Sequence, residues 1–512
     1  MAPYLGLRGS SLSTAIIWLA VCPALITYGY NLSVTGGLLT LDSFVATFPE
    51  LDTVNTTGAK QQHNSTVQGT AVALFTVGGM FGSLSCIYLG DLLGRKKVIF
   101  FASIITIVGA ILMTASFGLA QFIVARIILG LGTGGYIATL PVWQSEISVA
   151  AKRGAYVVTN GIFIGIGVAL GLWVDFGFYF IKTSSLSWRF PLAFQIIMLA
   201  STVIFVAIFP ESPRWLVKQG RVDEAREILS ALADVDPKSE SIGAEIDSIS
   251  HSLSICGALS WKAMVSKSPQ RLCHRTIIAA TAQMFNSICG INLISMYALT
   301  IFQEYLGLDP IKSRILAACM CIMQPLGGCL AYYIIDRLGR RPLMIGSALA
   351  MCASMAILGG TTSVTNNTGS LVVAVIFLFA FQFVYAGGFS GLAFLYATEV
   401  APLQLRAAIS AVSTAVFWVF NFMLAEVTPL GFNTLHYKYY IIFAAINAVI
   451  VPTAFFFFPE TSGRSLEEID EIFLQSKTIF DPPRIARRLP KMETTGGVGD
   501  ESSDTADEKT RV

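Results

Sequence analysis

The fold is decided by a charged stretch that occurs twice, as G-D-L-L-G-R-K at 90–96 and as I-D-R-L-G-R-R at 335–341. Each copy joins two long apolar stretches. Two further patterns recur in the same order and at nearly the same separation: Glu146 with Arg153 recurs as Glu399 with Arg406, and Pro210-Glu211 with Arg214 recurs as Pro459-Glu460 with Arg464. Three duplications in one order indicate two related halves joined in tandem.

The composition requires lipid as the surrounding solvent. Of the 512 residues, 54% are hydrophobic and 13% are charged, whereas a soluble chain has about 25% charged residues. This excludes a disordered protein, a nucleic-acid-binding protein and an ordinary cytosolic enzyme. The 9 cysteines have no spacing that suggests a metal site, and no nucleophile–base pair is visible. We therefore expect no metal, no cofactor and no enzymatic activity.

Twelve stretches are apolar over the length of about 20 residues that crosses a bilayer as a helix. They cover 14–39, 67–89, 98–116, 119–141, 155–181, 190–209, 275–306, 313–335, 343–361, 371–398, 407–428 and 438–458. The sequence thus predicts an all-α membrane protein with twelve transmembrane helices in two six-helix halves. The expected organisation is a tail over 1–13, halves over 14–209 and 275–458, a central loop with short amphipathic helices over 210–274, and a segment over 459–512 that is disordered beyond about 476.

The positions of Lys and Arg set the orientation, because short loops rich in these residues stay on the cytoplasmic side. They concentrate in the loops that follow the second, fourth, eighth and tenth spans, so both termini should be cytoplasmic. Three N-x-S/T sequons, at Asn55, Asn64 and Asn366, fall in loops on the opposite side and are candidates for N-glycosylation. We expect a multi-pass protein of the cell membrane.

The charged residues at the cytoplasmic helix ends are candidates for a gate. A carboxylate at a partly buried helix end needs a cation, so we expect Arg95 to pair with Glu146 or Glu211, and Arg337 or Arg341 to pair with Glu399 or Glu460. Such pairs would form when this side closes and break when it opens. The alternative is that the charges only fix the topology. The full set is Asp91, Arg95, Glu146, Arg153, Glu211, Arg214, Asp336, Arg337, Arg341, Glu399, Arg406, Glu460 and Arg464.

Several motifs resemble the sugar porter family of the major facilitator superfamily, especially its fungal members, over about residues 14–472. They include A-R-I-I-L-G-L-G-T-G at 125–134, P-E-S-P-R-W-L at 210–216, D-R-L-G-R-R-P at 336–342 and P-E-T-S-G-R-S-L-E-E at 459–468. The resemblance implies the major facilitator fold and uptake of a sugar-like solute by alternating access. It also implies a pocket of amide and aromatic side chains between the halves. The corresponding residues are Asn160, Asn286, Ser287, Asn292, Tyr297, Phe394, Trp418 and Asn421.

Some of these positions depart from the family pattern. The seventh span has Asn286 and Ser287 where the family has two glutamines, Gly161 stands at a family glutamine, and Phe394 stands at a family tryptophan. We therefore expect a wider, less polar pocket than one for glucose, suited to a larger sugar, a polyol, a sugar acid, or a glycosylated or non-sugar metabolite. The alternative is that the family carries the same cargo despite these changes.

Three polar residues within the spans bear on proton coupling, since ionisable groups in a membrane are costly and usually functional. Proton-coupled porters that resemble this chain have an aspartate in the first span near an arginine of the fourth. The matching positions here are Asn31 in the first span, which does not titrate, and Arg126 in the fourth span. We expect Arg126 to bond to Asn31 or to carbonyls, and passive uniport is the simplest interpretation. Glu426 in the eleventh span could carry a proton instead, or could simply reach water at the outer end.

Three functions remain open at this point. The first is a transporter, facilitated or proton-coupled, and uptake is favoured. The second is an exporter of a small metabolite, glycosylated or not, since nothing in the sequence fixes the direction of flux. The third is a sugar sensor that keeps the fold without transport, although the C-terminal segment has no repeated motif. The expected partners are a carbohydrate-like solute, lipid and, if coupled, protons, for a chain that acts as a monomer without nucleic acid.

Overall fold

The computed structural model describes residues 3–489 except 54, 149–152, 182–183, 257–260, 267, 269, 297, 306, 365–366 and 465. In this part of the chain, twelve helices are long and apolar enough to cross a membrane. They are α1 Gly9–Leu38, α2 Gly58–Leu92, α3 Arg95–Thr114, α4 Leu119–Ile147, α5 Arg153–Phe178, α6 Leu186–Ile208, α7 Leu272–Ser295, α8 Pro310–Leu338, α9 Arg340–Ser363, α10 Thr368–Val400, α11 Arg406–Leu435 and α12 Lys438–Phe457. The predicted all-α architecture of two six-helix halves is confirmed.

The duplicated charged stretches form two equivalent turns, one between α2 and α3 and the other between α8 and α9. Each turn contains one glycine with a positive φ, 86° at Gly94 and 92° at Gly339. A Cβ at Gly94 would lie 2.6 Å from a carboxylate oxygen of Glu211, and one at Gly339 would lie 2.7 Å from Glu460. A glycine is therefore required at each turn for two reasons. It adopts the positive φ of the backbone, and it leaves room for the carboxylate.

Small residues allow the helices to approach closely, both within a half and between the halves. A Cβ at Gly82 of α2 would lie 1.9 Å from the Leu131 carbonyl oxygen of α4. Between the halves, Gly79 of α2 lies against the indole of Trp418 in α11, and Gly165 of α5 lies against Pro325 of α8. Helix association in lipid depends on such packing, because apolar burial alone gives no advantage there. The halves thus meet along α2 with α11 and along α5 with α8.

Two helices of the second half are irregular near the middle of the bundle. The main segment of α7 ends at Ile288, and the chain resumes a helix at Ile291 after Gly290 adopts a φ of 110°. In α10 the segment Ala386–Ser390 forms a π-helical turn. Irregular backbone at membrane depth is tolerated where it lies beside a cavity. Both interruptions adjoin the cavity described below.

Outside the spans, short helices lie at the end of the bundle that carries the duplicated turns, which we call the motif end. The helices of the central loop are Pro213–Lys218, Val222–Ala233 and Glu240–Cys256, and those after α12 are Leu466–Gln475 and Asp481–Arg488. The last helix corrects the expectation of disorder beyond about 476. It is held because Arg464 donates to the carbonyl oxygens of Ala486 and Leu489 at 2.6 and 2.8 Å.

Candidate functional site

A cavity lies between the two halves, and side chains of both halves line it. The space open to a water-sized sphere is about 30 Å³, so the cavity is nearly closed in this arrangement. Helices α1 and α5 contribute from the first half, and α7, α8, α10 and α11 contribute from the second. The lining residues are Tyr28, Leu32, Ile164, Val168, Asn286, Ile291, Asn292, Ser295, Gln324, Tyr385, Ser390, Phe394 and Phe417. The cavity combines amides, hydroxyls and aromatic faces in an otherwise apolar wall, as small-molecule sites commonly do.

Three of the residues predicted for the pocket line this cavity, namely Asn286, Asn292 and Phe394. The Tyr385 hydroxyl donates to Asn286 Oδ1 at 2.9 Å. Among the residues that the structure describes, the amide nitrogens of the two asparagines make only long contacts, 3.4 Å from Asn286 to Gln283 Oε1 and 3.4 Å from Asn292 to the Ser287 carbonyl oxygen. Both amide nitrogens are therefore weakly bonded and available to a polar solute.

Four other residues predicted for the pocket, Asn160, Ser287, Trp418 and Asn421, do not line this cavity. Asn421 donates to Ser287 Oγ at 2.9 Å, and Ser287 donates to the Phe417 carbonyl oxygen at 2.9 Å, so these two join α7 to α11. Trp418 is fully buried against Gly79. Asn160 is buried, and its side-chain amide makes no hydrogen bond to the residues that the structure describes. Tyr297 lies outside the described residues.

The prediction missed several polar residues of the cavity. Gln324 of α8 lines it and donates to Ser390 Oγ at 3.4 Å, and Ser295 of α7 accepts from Gln382 at 2.9 Å. Tyr28 and Tyr385 add two hydroxyl groups. These residues restore part of the polarity that the pocket loses where Ser287 and Phe394 stand in place of the family's glutamine and tryptophan. A search for every amide inside an apolar span would have singled out Gln324.

The motif end of the first half contains a buried ion pair. Arg95 donates to both carboxylate oxygens of Glu146, at 2.9 and 3.2 Å, and Ser212 Oγ donates to the same carboxylate at 2.6 Å. Of the two predicted partners, Glu146 is therefore the one that meets the guanidinium. Glu211 instead accepts from the backbone N–H groups of Arg95 and Lys96 at 3.0 and 3.1 Å, so it caps the N-terminus of α3.

The Glu211 carboxyl has a shifted pKa. Burial raises its pKa above the ordinary value, and the N–H groups of Ser212, Lys96 and Arg95 offset part of that rise. The carboxyl is held by backbone donors at a helix N-terminus, and it therefore stabilises the start of α3 whenever it is ionised.

The second half repeats this arrangement with different residues from those predicted. Arg340 donates to Glu399 at 3.2 Å, Thr461 Oγ1 donates to Glu399 at 2.6 Å, and Arg340 also pairs with Asp336 at 2.9 Å. Glu460 accepts from the backbone N–H groups of Arg340 and of the next residue at 2.9 and 3.0 Å, which caps α9. The repeat aligns Arg340 with Arg95, because each directly follows the glycine of its turn.

The predicted cations Arg337 and Arg341 take other roles. Arg337 is exposed at the end of α8, because it precedes the glycine turn and faces away from the bundle. The Arg341 guanidinium donates to the carbonyl oxygens of Ala454 and Phe455 in α12. The pairing predicted for these two arginines is therefore wrong, and Arg340 is the residue that the prediction overlooked.

The remaining members of the predicted gate lie around these pairs. Asp91 accepts from Lys218 Nζ at 2.9 Å and lies 3.6 Å from Arg95 Nη1. Arg214 is buried, and Arg464 bonds to the last helix, as described above. The side chain of Arg153 lies outside the described part of the chain.

Contacts between the halves close the motif end. Arg406, at the start of α11, lies 3.6 Å from Glu146 of the first half. Lys218 Nζ donates to the Gln404 carbonyl oxygen at 3.0 Å, and Ser410 Oγ donates to the Ala138 carbonyl oxygen at 2.9 Å. Glu146 is thus shared between a cation of its own half and one of the other half. Opening of this end would have to separate Arg406 from it.

The residues predicted for coupling do not form one cluster. Asn31 donates to Gln195 Oε1 of α6 at 2.7 Å. Arg126 donates to Thr35 Oγ1 at 2.6 Å and to the Val72 carbonyl oxygen at 2.7 Å, so its predicted bond to a carbonyl is present and the one to Asn31 is not. Glu426 is half-buried, and its Oε1 has no hydrogen-bond partner among the described residues.

The three sequons differ in their surroundings. Asn55 is exposed. Asn64 is buried, and its amide nitrogen donates to the carbonyl oxygens of Pro49 and Asp52 at 3.3 and 2.8 Å. Its amide nitrogen, which a glycan would need, therefore points inward. Asn366 lies outside the described residues.

Comparisons with known proteins identify the family. The family model described as "Sugar (and other) transporter" matches residues 17–473. Sugar transporter STL1 of Saccharomyces cerevisiae is 33% identical over 95% of this chain and 86% of its own length. MFS-type transporter oryC of Aspergillus oryzae is 33% identical over 96% of this chain and 91% of its own.

A solved structure shows the same fold. It is the proton:xylose symporter XylE bound to 6-bromo-6-deoxy-D-glucose, with a TM-score of 0.79, 22% identity, and coverage of 90% of this chain and 99% of that one. At this identity the likeness concerns the fold alone. The family match over nearly the whole chain carries the assignment, and the relatives are named as transporters, not as enzymes. The chain belongs to the sugar transporter family of the major facilitator superfamily.

Proposed function

We propose that this protein carries a small, neutral, polyhydroxylated solute across the membrane by alternating access, with uptake as the net direction. The observation that supports this most is the cavity between the halves, which has amides from α7 and α8 and aromatic faces from α1, α10 and α11. The named functions of the relatives point to the same class of solute. Polarity without charge in the cavity favours a neutral ligand.

The chemistry of the lining residues suits a sugar or a polyol. Asn286, Asn292 and Gln324 each offer donors and an acceptor that can pair with vicinal hydroxyl groups. The rings of Phe394 and Phe417 lie 5.7 Å apart and can cover the apolar face of a carbon chain or ring. The tyrosine hydroxyl of Tyr385 fixes the orientation of Asn286 through its 2.9 Å bond.

The gate follows from the shared carboxylate at the motif end. We infer that the motif end faces the cytoplasm, since basic residues concentrate there. Opening to the cytoplasm then separates Arg406 from Glu146, while the bidentate pair of Glu146 with Arg95 stays within its half. The contact between Arg406 and Glu146 is replaced by hydration of the separated groups, and this keeps the closed and open states close in free energy.

The test is an uptake panel in a cell without its own sugar transporters, with D-glucose, D-xylose, sucrose, sorbitol and gluconate as labelled solutes. We expect uptake of at least one neutral solute. Asn286→Ala and Gln324→Ala should each lower uptake about two- to twelvefold, because a hydrogen bond to the solute is worth about 0.5–1.5 kcal/mol.

Tyr385→Phe is the matched control for this test. It keeps the ring and the Asn286 amide, and it removes one hydroxyl of the cavity wall together with the bond that orients Asn286, so it should have a smaller effect than Asn286→Ala. Absence of uptake for every solute, with the protein correctly folded at the cell surface, would contradict the proposal. Efflux without uptake would instead support an exporter, and binding without flux would support a sensor.

A further inference from the structure

At the end of the bundle opposite to the motif end, which we call the far end, one acidic side chain has no evident role in the proposed cycle. Asp175 lies in the last turn of α5 and is 2% exposed. Both of its carboxylate oxygens are buried and make no hydrogen bond within the described part of the chain. An ionised carboxylate in this position would have lost its hydration without replacement, which is strongly unfavourable.

The carboxyl lies directly against the backbone of α1. A Cβ built at Gly37 would lie 2.1 Å from Asp175 Oδ2, so only a glycine leaves room for the acid. The other neighbour is Arg314 at the start of α8, which belongs to the second half. Its guanidinium donates to the Gly37 carbonyl oxygen at 3.4 Å and to Thr40 Oγ1. The last turn of α1 therefore lies between Asp175 of its own half and Arg314 of the other half.

The acid and the cation do not meet in this closed arrangement. No salt bridge joins them among the described residues, and Arg314 Nε, like the Asp175 oxygens, has no hydrogen-bond partner there. The Arg314 guanidinium instead lies 4.2 Å from the centre of the Tyr179 ring. The ionisable groups that face Asp175 from the packed helices are Tyr30 of α1 and Arg314 of α8, and the Tyr30 hydroxyl is engaged by the Pro191 carbonyl oxygen at 2.8 Å.

We propose that Asp175 is a proton-binding site that must be filled before the far end can close. A neutral carboxyl fits against Gly37 without a partner at a small cost, whereas an ionised one requires water or Arg314. Opening of the far end admits water to Asp175 and allows the proton to leave toward the same side. The proton therefore binds and leaves at the far end, and no net proton movement accompanies the solute. This inference rests on the proposed alternating-access function.

The Asp175 site differs from that of Glu426, the acid in α11. Glu426 is only half-buried, so it can reach water without a conformational change. It also lies in α11 and does not touch the α1 turn that Arg314 clasps. Glu426→Gln is therefore the control, since it removes the charge of an acid in another helix and leaves the Asp175 site intact.

The first test measures the proton itself and needs no solute. Infrared difference spectra of the purified full-length protein are recorded between acid and alkaline buffer. The wild type should show the C=O stretch of a protonated carboxyl that is absent in Asp175→Asn and retained in Glu426→Gln. An unchanged carboxyl band in Asp175→Asn, with an unfolding temperature equal to that of the wild type, would overturn the proposal.

The second test measures exchange of the labelled solute with the highest uptake among the panel solutes, in proteoliposomes at equal pH on both sides. Above the midpoint, exchange by the wild type should fall about tenfold per pH unit, because the protonated fraction falls by that factor. Asp175→Asn, which is permanently neutral, should exchange at the acid rate at every pH. A wild-type pH profile in Asp175→Asn would overturn the proposal. Failure of the wild type to exchange any solute would overturn the proposed function, while the infrared test would still decide the proton site.

Discussion

The two ends of the bundle are closed by opposite electrostatic means. At the motif end, acids and cations are joined in matching pairs, Arg95 with Glu146 and Arg340 with Glu399, and Arg406 links the halves. At the far end, Asp175 and Arg314 lie on either side of Gly37 without a bond between them. The difference suggests that the motif end opens by breaking an ion pair, whereas the far end closes by neutralising an acid.

The largest expected effect comes from breaking the matched pairs at the motif end. Arg340→Ala leaves the buried Glu399 without its paired cation, and Arg95→Ala leaves the buried Glu146 with only the more distant Arg406, so each should lower the free energy of unfolding, by up to about 3–5 kcal/mol. Chemical denaturation of the purified variants measures this. Because Arg406 also lies 3.6 Å from Glu146, the loss in Arg95→Ala should be the smaller of the two.

The control for these variants is Arg337→Ala. Arg337 is exposed, so its loss should change the free energy of unfolding by less than about 0.5 kcal/mol. An effect of Arg337→Ala as large as that of Arg340→Ala would contradict the claim that the ion pair of Arg340 with Glu399 stabilises the second half.

An intermediate effect is expected from the two cations that cross between the halves. Arg406→Ala loosens the motif end and should shift the population toward states open there, while Arg314→Ala loosens the far end and should shift it the other way. Each shift should be about tenfold, which corresponds to about 1.4 kcal/mol for the loss of the contacts that one cation makes across the halves. The rates of maleimide labelling at a single cysteine placed at each end measure the shifts.

The two shifts provide their own control, because each variant leaves the opposite end intact. Equal labelling changes at both ends in either variant would indicate general loosening of the fold. That outcome would contradict the assignment of one crossing cation to each end.

A smaller effect is expected from the two capping carboxylates. Glu211→Gln and Glu460→Gln keep the side-chain shape and remove the negative charge from the N-termini of α3 and α9, which should cost about 0.5–2 kcal/mol each. Thermal unfolding of the two single variants and the double variant measures the loss. Additive losses are expected, since the caps lie in different halves, and a larger loss than that of Arg95→Ala would reverse the proposed order.

Much of the fold was predictable, because the chain repeats itself and because apolar length alone marks a membrane helix. The sequence indicated which group of arginines would pair with which group of glutamates. The arginine that forms the pair is the one that directly follows the glycine of the turn. Arg340 was overlooked although the repeat makes it equivalent to Arg95. The sign of the charge does not distinguish Arg340 from its neighbours, whereas its position directly after the glycine does. Disorder beyond about 476 was wrong for Asp481–Arg488, because Arg464 holds that helix.

The cavity was only partly predictable, for a physical reason. Asn286, Asn292 and Phe394 line it, whereas Ser287 and Asn421 bond to each other behind it. The rotation of each helix about its axis decides which side chains face inward, and the break at Gly290 changes that rotation within α7. Such breaks depend on contacts with neighbouring helices, which a pattern along a single span does not contain.

One measurement tests the alternating-access account most directly. Ser410 Oγ and the Ala138 carbonyl oxygen lie 2.9 Å apart across the halves at the motif end, so a short bis-methanethiosulfonate reagent can join cysteines placed at these two positions through a reducible disulfide link, in a background where the native cysteines are replaced. We predict that solute exchange stops when Ala138→Cys and Ser410→Cys are cross-linked and returns when the disulfide is reduced. Full exchange by the cross-linked protein would contradict the claim that the motif end must open for transport.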